Sequence, residues 1–393
     1  GAEDPAALVE VGPDRHRFDP NTRATELELY EGLVARSQNR WPSLGFDVGA
    51  ANDWLWRFLP AGFYYKTFMG PPLGWMVFEP MIRRAAGLGR PPDGPDPERY
   101  ESQNRHCDVL VVGGGPAGLT AALAAARSGA RVILAEETAA LGGRLLSVDP
   151  SSVGIDGRPA PEFVATVAAE LANRPETVVL TRTSAFGYYA DNFVGLAESV
   201  QDHLPPAGRQ AHVPRQRHWR VRAKEVVLAT GAIERPIVFH GNDRPGIMLA
   251  GAVMTYLHRY AVLPGKRAVV FTTNNGAWET AFALHAAGAK VEAIVDARPA
   301  PERGLMRAAA ERGIAVLPNA VITETQGRRR VNMVVARTLD GKGGVAGAES
   351  LIACDLLAVS GGWSPNAALF SQSRGKLKWD GGIGGFRPGM SWQ

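Results

Sequence analysis

Residues 107–137 read CDVLVVGGGPAGLTAALAAARSGARVILAEE, and this stretch decides the fold. CDVLVV is a short apolar run of the kind found in a strand buried on both faces. PAGLTAALAAARSG is a small-residue helix that ends at Gly129. ARVILAEE is a second strand. Strand, glycine turn, helix and strand within about 30 residues make a parallel β-α-β unit.

The turn spells G-x-G-x-x-G at Gly113, Gly115 and Gly118, with Gly114, Pro116 and Ala117 between them. Gly113 permits the tight turn off the strand. Gly115 lets a pyrophosphate approach the backbone, where a side chain would collide. Gly118 lets the helix pack closely on the strand. The helix start then offers free N–H groups and a partial positive charge to phosphates. Pro116 fits the first turn, where no donor is lost. Glu136 ends the second strand about 20 residues on, where an acid hydrogen-bonds the ribose of an adenosine half and disfavours a 2′-phosphate. The motif alone is weakly specific, but in this context it predicts a dinucleotide site.

Leu141-Gly142-Gly143-Arg144 follows the acid. Paired glycines let a loop pass close to a pyrophosphate or ribose. Arg144 is read either as a phosphate contact or as a surface arginine. Ala229-Thr230-Gly231 is a small-residue strand end that lets backbone pass beside a bound dinucleotide. The candidate cofactor-binding set is therefore Gly113, Gly114, Gly115, Pro116, Ala117, Gly118, Glu136, Glu137, Gly143, Arg144, Ala185, Thr230 and Gly231.

A second β-α-β unit is expected from a strand at Arg267–Phe271, a helix at Ala277–Ala287 and a strand at Lys290–Val295 ending at Asp296. Its turn, Thr272-Thr273-Asn274-Asn275-Gly276, lacks the glycines. Thr272 disfavours the tight turn and the Asn274 side chain obstructs a phosphate, so the fold is expected to persist with its nucleotide site weak or lost. Further strand candidates are Thr177–Leu180, Val226–Thr230, Val316, Val331–Ala336 and Leu356–Ser360.

The 393 residues suggest about two domains. A net charge of +4, spread along the chain, argues against a nucleic-acid protein. The densest basic spots, Arg215 to Arg222 and Arg328-Arg329-Arg330, are expected to be solvated loops. The two cysteines, Cys107 and Cys354, form no C-x-x-C pair and are expected as buried, reduced thiols, in keeping with a cytoplasmic location. No run of about 18 apolar residues marks a membrane-spanning helix. No metal site is expected, and no catalytic set is visible. His240, His258 and His285 are expected as ordinary surface or core histidines. Ala24–Ala35 is expected as a short helix or extended segment. Residues 54–82, WLWRFLPAGFYYKTFMGPPLGWMVFEPMI, crowd aromatics among Pro60, Pro71, Pro72 and Pro80, which forbid one long helix. Two uses for this arm stay open, internal packing or a subunit interface. Residues 90–97 (RPPDGPDP) read as a linker.

Segments SQNRWPSLGFDVGAANDWL, LPAGFYYKTFMGP and EPMIRRAAGLGR resemble the alpha subunit of heterotetrameric sarcosine oxidases, as do CDVLVVGGGPAGL, ATGAIERPIVFHGNDRPGIM and CDLLAVSGGWSPN. The resemblance covers almost the whole chain, and its first three segments are the specific ones. It implies an α/β fold of the two-dinucleotide-binding-domain flavoprotein type (Rossmann-type), with a second nucleotide-fold domain inserted in the first and an irregular aromatic-rich arm in front. The expected boundaries are 1–105 for the arm, 106–236 plus 352–393 for the first domain and 237–351 for the inserted one. It implies NAD on Gly113, Gly115, Gly118, Glu136, Gly143, Thr230 and Gly231. In the complex, FAD lies in a beta subunit, FMN lies at the interface between alpha and beta, and gamma and delta subunits are further partners. That complex demethylates sarcosine to glycine, forms peroxide and passes a one-carbon unit to tetrahydrofolate. The family's N-terminal ferredoxin-like and C-terminal folate-binding domains are not in this sequence. Nor is the last glycine-rich helix of the first nucleotide domain, so the chain reads as a fragment, inactive alone. Two other readings stay open: an FAD-binding alpha subunit of a related proline, opine or glycine dehydrogenase, and a non-catalytic scaffold.

Overall fold

A computed structural model describes residues 7–13, 18–38, 40–43, 45–51, 58, 74–96, 98–150 and 152–391. The chain divides into two compact units, one of residues 1–103 and 197–218, the other of residues 104–196 and 219–393.

In the first unit, β1 (Leu8–Val11) lies between β2 (Asp19–Arg23) and β3 (Ala35–Ser37), antiparallel to both. Ala24–Ala35 is neither helix nor strand until its last residue. Turns closed by Glu26 N–H to Arg23 O and Leu33 N–H to Tyr30 O fill it, and Gly32 at φ +82° stops any helix. Helix α1 (Gly74–Ala85) carries Pro80 in its interior, so this proline does not break the helix as expected. It removes one backbone bond, while Arg83 and Glu79 pair one turn apart at 2.8 Å. Trp54, Trp56, Pro60, Phe63, Tyr64, Tyr65, Phe68, Pro71 and Pro72 lie outside the described residues. The basic stretch from Arg215 is no solvated loop. The Arg215 guanidinium sits between Asp19, at 2.7 Å, and Asp202, and Arg217 bridges Glu101 and Glu198 at 2.7 and 2.9 Å. Burial of these cations is tolerated because two carboxylates meet each. The Arg328–Arg330 turn does hold a loop, with Arg330 anchored on the carbonyls of Asp355 and Pro264.

The second unit holds two layered α/β assemblies. β4 (Tyr100–Val112), β5 (Val132–Ala135) and β8 (Thr177–Leu180) are parallel neighbours. Helix α2 (Pro116–Arg127) connects β4 to β5, and α3 (Ala160–Ala172) lies between β5 and β8. A small hairpin of β6 (Gly154–Ile155) and β7 (Arg158–Pro159) precedes α3. β9 (Thr183–Tyr189), β10 (Phe193–Ser199) and β11 (Gln216–Leu228) complete a six-stranded sheet in the order β8-β5-β4-β11-β10-β9. Alternation sorts β4 and β5 between two cores. Val111, Val132 and Leu134 meet Leu119, Ala122 and Leu171 of the helices, while Leu110, Val112 and Ile133 meet Leu196, Trp219 and Val221. Both faces are covered, which is why the strand sequences are continuously apolar.

β12 (Ala232–Glu234) leads to β13 (Ile247–Leu249), helix α4 (Ala250–Tyr260), β14 (Arg267–Thr272), helix α5 (Gly276–Ala286), β15 (Lys290–Asp296), helix α6 (Arg303–Glu311) and β16 (Ala315–Pro318). β17 (Ala320–Gln326), β18 (Met333–Leu339) and β19 (Val345–Ala353) form an antiparallel sheet. β20 (Leu356–Ser360) then pairs in parallel between β13 and β14, giving a five-stranded sheet β13-β20-β14-β15-β16. Leu356–Ser360 falls in the segment expected to return to the first nucleotide fold, yet this strand belongs to the second. Its five residues are all buried, as a central parallel strand requires. β21 (Trp363–Pro365) pairs with β12, helix α7 (Ala368–Gln372) follows, and β22 (Lys376–Asp380) with β23 (Gly385–Met390) closes a hairpin. Among the described residues no helix is long and apolar enough to cross a membrane.

Candidate dinucleotide site

The glycine turn sits where β4 hands over to α2. Gly113 has φ +103°, and a Cβ on it would lie 2.3 Å from the Ala229 carbonyl oxygen. A Cβ on Gly118 would lie 1.8 Å from the Gly113 carbonyl oxygen. Both positions are closed to any side chain by backbone, so strand, turn and helix pack at their nearest approach. Gly115 is the opposite case: nothing lies within 4 Å of the space its Cβ would take. It caps α2 without a side-chain hydrogen bond, so the first-turn amides are left to a ligand or water. Pro116 opens the helix and Ala117 is exposed beside it.

Glu136 forms the wall of this turn. It is 6% exposed. Its Oε2 accepts the Gly114 N–H at 2.7 Å, and its Oε1 accepts both the N–H and the hydroxyl of Thr138 at 2.8 Å. Oε1 is thereby filled, while Oε2 keeps lone-pair capacity for a further donor. Across the turn, the Gly142 N–H donates to the Gly114 carbonyl at 2.8 Å, and a Cβ on Gly143 would lie 2.9 Å from the Gly115 Cα. The double-glycine loop thus lies flat on the turn. The Ala229 N–H donates to the Val112 carbonyl at 2.8 Å, the Thr230 hydroxyl to the Asn366 carbonyl at 2.7 Å, and the Asn366 N–H to the Gly231 carbonyl at 3.0 Å. Gly231, at φ +66°, again has open space on its Cβ side.

The structure therefore gathers Gly113, Gly114, Gly115, Pro116, Ala117, Gly118, Glu136, Gly143, Thr230 and Gly231 around one turn. Glu137 is exposed next to it. Ala185 is half-buried in β9 against the sheet core, two residues from Thr183, whose N–H donates to the Glu136 carbonyl at 2.8 Å. Arg144 is exposed, with its guanidinium carbon 4.3 Å above the centre of the Trp363 ring. Sequence reading missed Trp363 and Glu234. Glu234 is 8% exposed, and burial raises its pKa against the Ser360 hydroxyl, the Gly251 N–H and the Arg144 charge. The only signal for it was an acid inside the apolar stretch following Gly231.

The corresponding turn of the second fold is filled by its own side chains. The Asn274 amide donates to the Ser360 hydroxyl at 2.9 Å. Asp296, the counterpart of Glu136, is fully buried and accepts the Trp278 indole N–H at 2.9 Å and a bidentate Arg298 at 3.0 and 2.7 Å. Cys107 and Cys354 are free and buried in different cores, and burial pushes their thiols up to about 11 and about 12. Burial thus disfavours the thiolate of both at neutral pH. His240 and His285 are exposed and His258 is half-buried, and among the described residues no three His, Cys, Asp or Glu groups form a metal-holding cluster.

The profile of the pyridine nucleotide-disulphide oxidoreductase family matches residues 107–385. The chain belongs to this family. Its match spans both nucleotide folds, and the Rossmann-type α/β architecture is the family's. Among curated relatives, the sarcosine oxidase alpha subunit of Rhizobium meliloti is 49% identical over 96% of this chain and 37% of its own length. That of Corynebacterium sp. (strain U-96) is 44% identical over 77% of this chain and 31% of its own length. The chain thus spans about a third of the length of these relatives, which are oxidoreductase subunits. An opine oxidase subunit from Agrobacterium tumefaciens is 30% identical over 50% of this chain and 38% of its own length. Among solved structures, a thioredoxin reductase from T. acidophilum (TM-score 0.54, 20% identity, 70% of this chain and 83% of that one) shares the fold. So does an L-proline dehydrogenase from P. horikoshii (TM-score 0.51, 22% identity, 75% and 49%).

Proposed function

We propose that this chain is the NAD-binding part of a sarcosine oxidase alpha subunit. The observation that carries the reading is the open face of Gly115 between the uncapped start of α2 and the buried Glu136 carboxylate. A pyrophosphate fits the first and a ribose hydroxyl the second. An anionic wall disfavours a 2′-phosphate, which supports NAD over its phosphorylated form. The filled turn of the second fold supports one dinucleotide in this chain. In this reading the chain's residues bind and orient the nucleotide, and NAD, when bound, supplies a hydride acceptor.

The whole complex is then the sarcosine-demethylating oxidase, working in the cytoplasm, with FAD in a beta subunit, FMN at the alpha–beta interface, gamma and delta subunits, and one-carbon transfer to tetrahydrofolate. A second reading, FAD in this site, draws on the opine oxidase similarity. The test uses the full alpha subunit co-purified with its partners. Nucleotides released on denaturation are counted by mass spectrometry and absorbance, for wild type and for Gly115→Val. Loss of NAD with flavins retained supports the proposal. Loss of FAD instead transfers the site to the dehydrogenase reading. No NAD released from wild type, with no FAD lost from Gly115→Val, leaves a scaffold.

A further inference from the structure

Arg144 directly follows Gly143, the residue that lies on Gly115. Its backbone therefore sits at the rim of the phosphate turn. Among the described residues no carboxylate lies in ion-pair contact with it, although its charge acts on the buried Glu234, whereas Arg215, Arg217 and Arg298 are each consumed by carboxylates. It rests instead on the face of Trp363. A stacked guanidinium keeps its N–H edge available for an anion.

The ring beneath it is held. Trp363 opens β21 in register with Glu234 of β12. A Cβ on Gly251, at the start of α4, would lie 3.4 Å from the ring edge and 2.8 Å from Glu234 Oε2. The Gly251 N–H donates to that same Oε2 at 2.7 Å. The Ser147 and Thr255 hydroxyls, 2.9 Å apart, tie the turn that carries Arg144 to α4. The groups around Glu234 are thus Gly251 from α4, Ser360 from β20, Trp363 from β21 and the charge of Arg144, while its neighbour Arg235 turns away to the carbonyls of Ile383 and Gly384.

We propose that Trp363 is a positioning residue that holds Arg144 at the mouth of the glycine turn, where the guanidinium takes the dinucleotide pyrophosphate. This deepens, and rests on, the dinucleotide reading above. Trp363 touches no phosphate itself. It acts by limiting where the arginine can go, so less rotamer freedom is lost when the anion arrives.

The test measures the affinity of added NAD, and of FAD as a second probe, for the dialysed full complex over a range of salt. Arg144→Met is expected to weaken binding about tenfold or more and to flatten its salt dependence. Trp363→Leu is expected to reproduce both effects, and Trp363→Phe, which keeps an aromatic face, to restore most of the affinity. The double variant should bind no more weakly than Arg144→Met alone. Unchanged affinity and salt dependence in Arg144→Met, with wild type binding NAD, overturns the inference and leaves the functional reading intact. Additive losses in the double variant also overturn it, because the ring then acts through something other than Arg144. Salt-sensitive loss of FAD in place of NAD supports the inference and overturns the choice of NAD. No binding of either probe by wild type removes both.

Discussion

The Glu136 carboxylate accepts the backbone N–H of Gly114 at 2.7 Å, across 22 residues of sequence. The acid expected for a ribose therefore also fixes the glycine turn. Glu136→Gln keeps the shape but gives up charge-assisted bonds to Gly114 and Thr138, and should cost about 1–2 kcal/mol in denaturant unfolding. It should also narrow the preference for NAD over its 2′-phosphorylated form. An unchanged preference would mean that the acid serves the turn alone.

Two of the motif glycines, Gly115 and Gly118, should part company on substitution by alanine. Gly118→Ala puts a methyl 1.8 Å from a backbone oxygen and should destabilise the fold by about 3 kcal/mol or more. Gly115→Ala meets nothing within 4 Å and should unfold like wild type while losing dinucleotide affinity. Thermal melts of the two variants with and without NAD separate the roles. Equal melting losses would contradict the open face at Gly115.

Glu234 gives a pH signature. Burial raises its folded pKa above the unfolded value, so between those two values the folded chain holds a proton that the unfolded chain has released. Stability therefore falls as pH rises through that window, and the cost is complete above it. Glu234→Gln keeps an oxygen for the Gly251 N–H and removes the titration. The variant should melt higher than wild type at about pH 8, with the gap closing towards about pH 4. A gap that widens on acidification would reverse the assignment.

In the second fold, Arg298→Met leaves the fully buried Asp296 with the Trp278 indole and the residue 298 backbone N–H as partners of its side chain among the described residues. Breaking a buried pair from one side should cost about 3–5 kcal/mol. Asn274→Gly reopens the turn, yet Asp296 stays committed to Arg298, so nucleotide stoichiometry should not rise. A second bound dinucleotide in Asn274→Gly would show that the asparagine alone closes this site.

Cys107 and Cys354, with thiols pushed up to about 11 and about 12 by burial, should resist a thiol reagent at neutral pH and react together on unfolding. Rapid labelling of either in the folded protein would place it outside the cores described.

Much of this molecule was legible in one dimension. The glycine spacing, the apolar strands and the acid at Glu136 are each forced by local chemistry. A tight turn needs Gly113, close packing needs Gly118, and a doubly covered strand must be continuously apolar. The missing glycines of the second turn were legible for the same reason, since Thr272 and Asn274 stand where the first turn has small residues. Other features had no local signal. Leu356–Ser360 is as apolar as a strand of either sheet, and only pairing with β13 and β14 assigns it. Arg215 reads as a charged loop residue until the fold brings Asp19 and Asp202 to it. Pro80 reads as a breaker until its helix closes around it. Arg144, on sequence alone, is evenly a phosphate ligand or a surface side chain. The sequence determined that a strand, glycine turn and helix follow one another and where the glycines stand, because those constraints act within a few residues. The tertiary structure decided what surrounds it, because Trp363 and Glu234 reach the Arg144 turn only through long-range pairing that no spacing encodes.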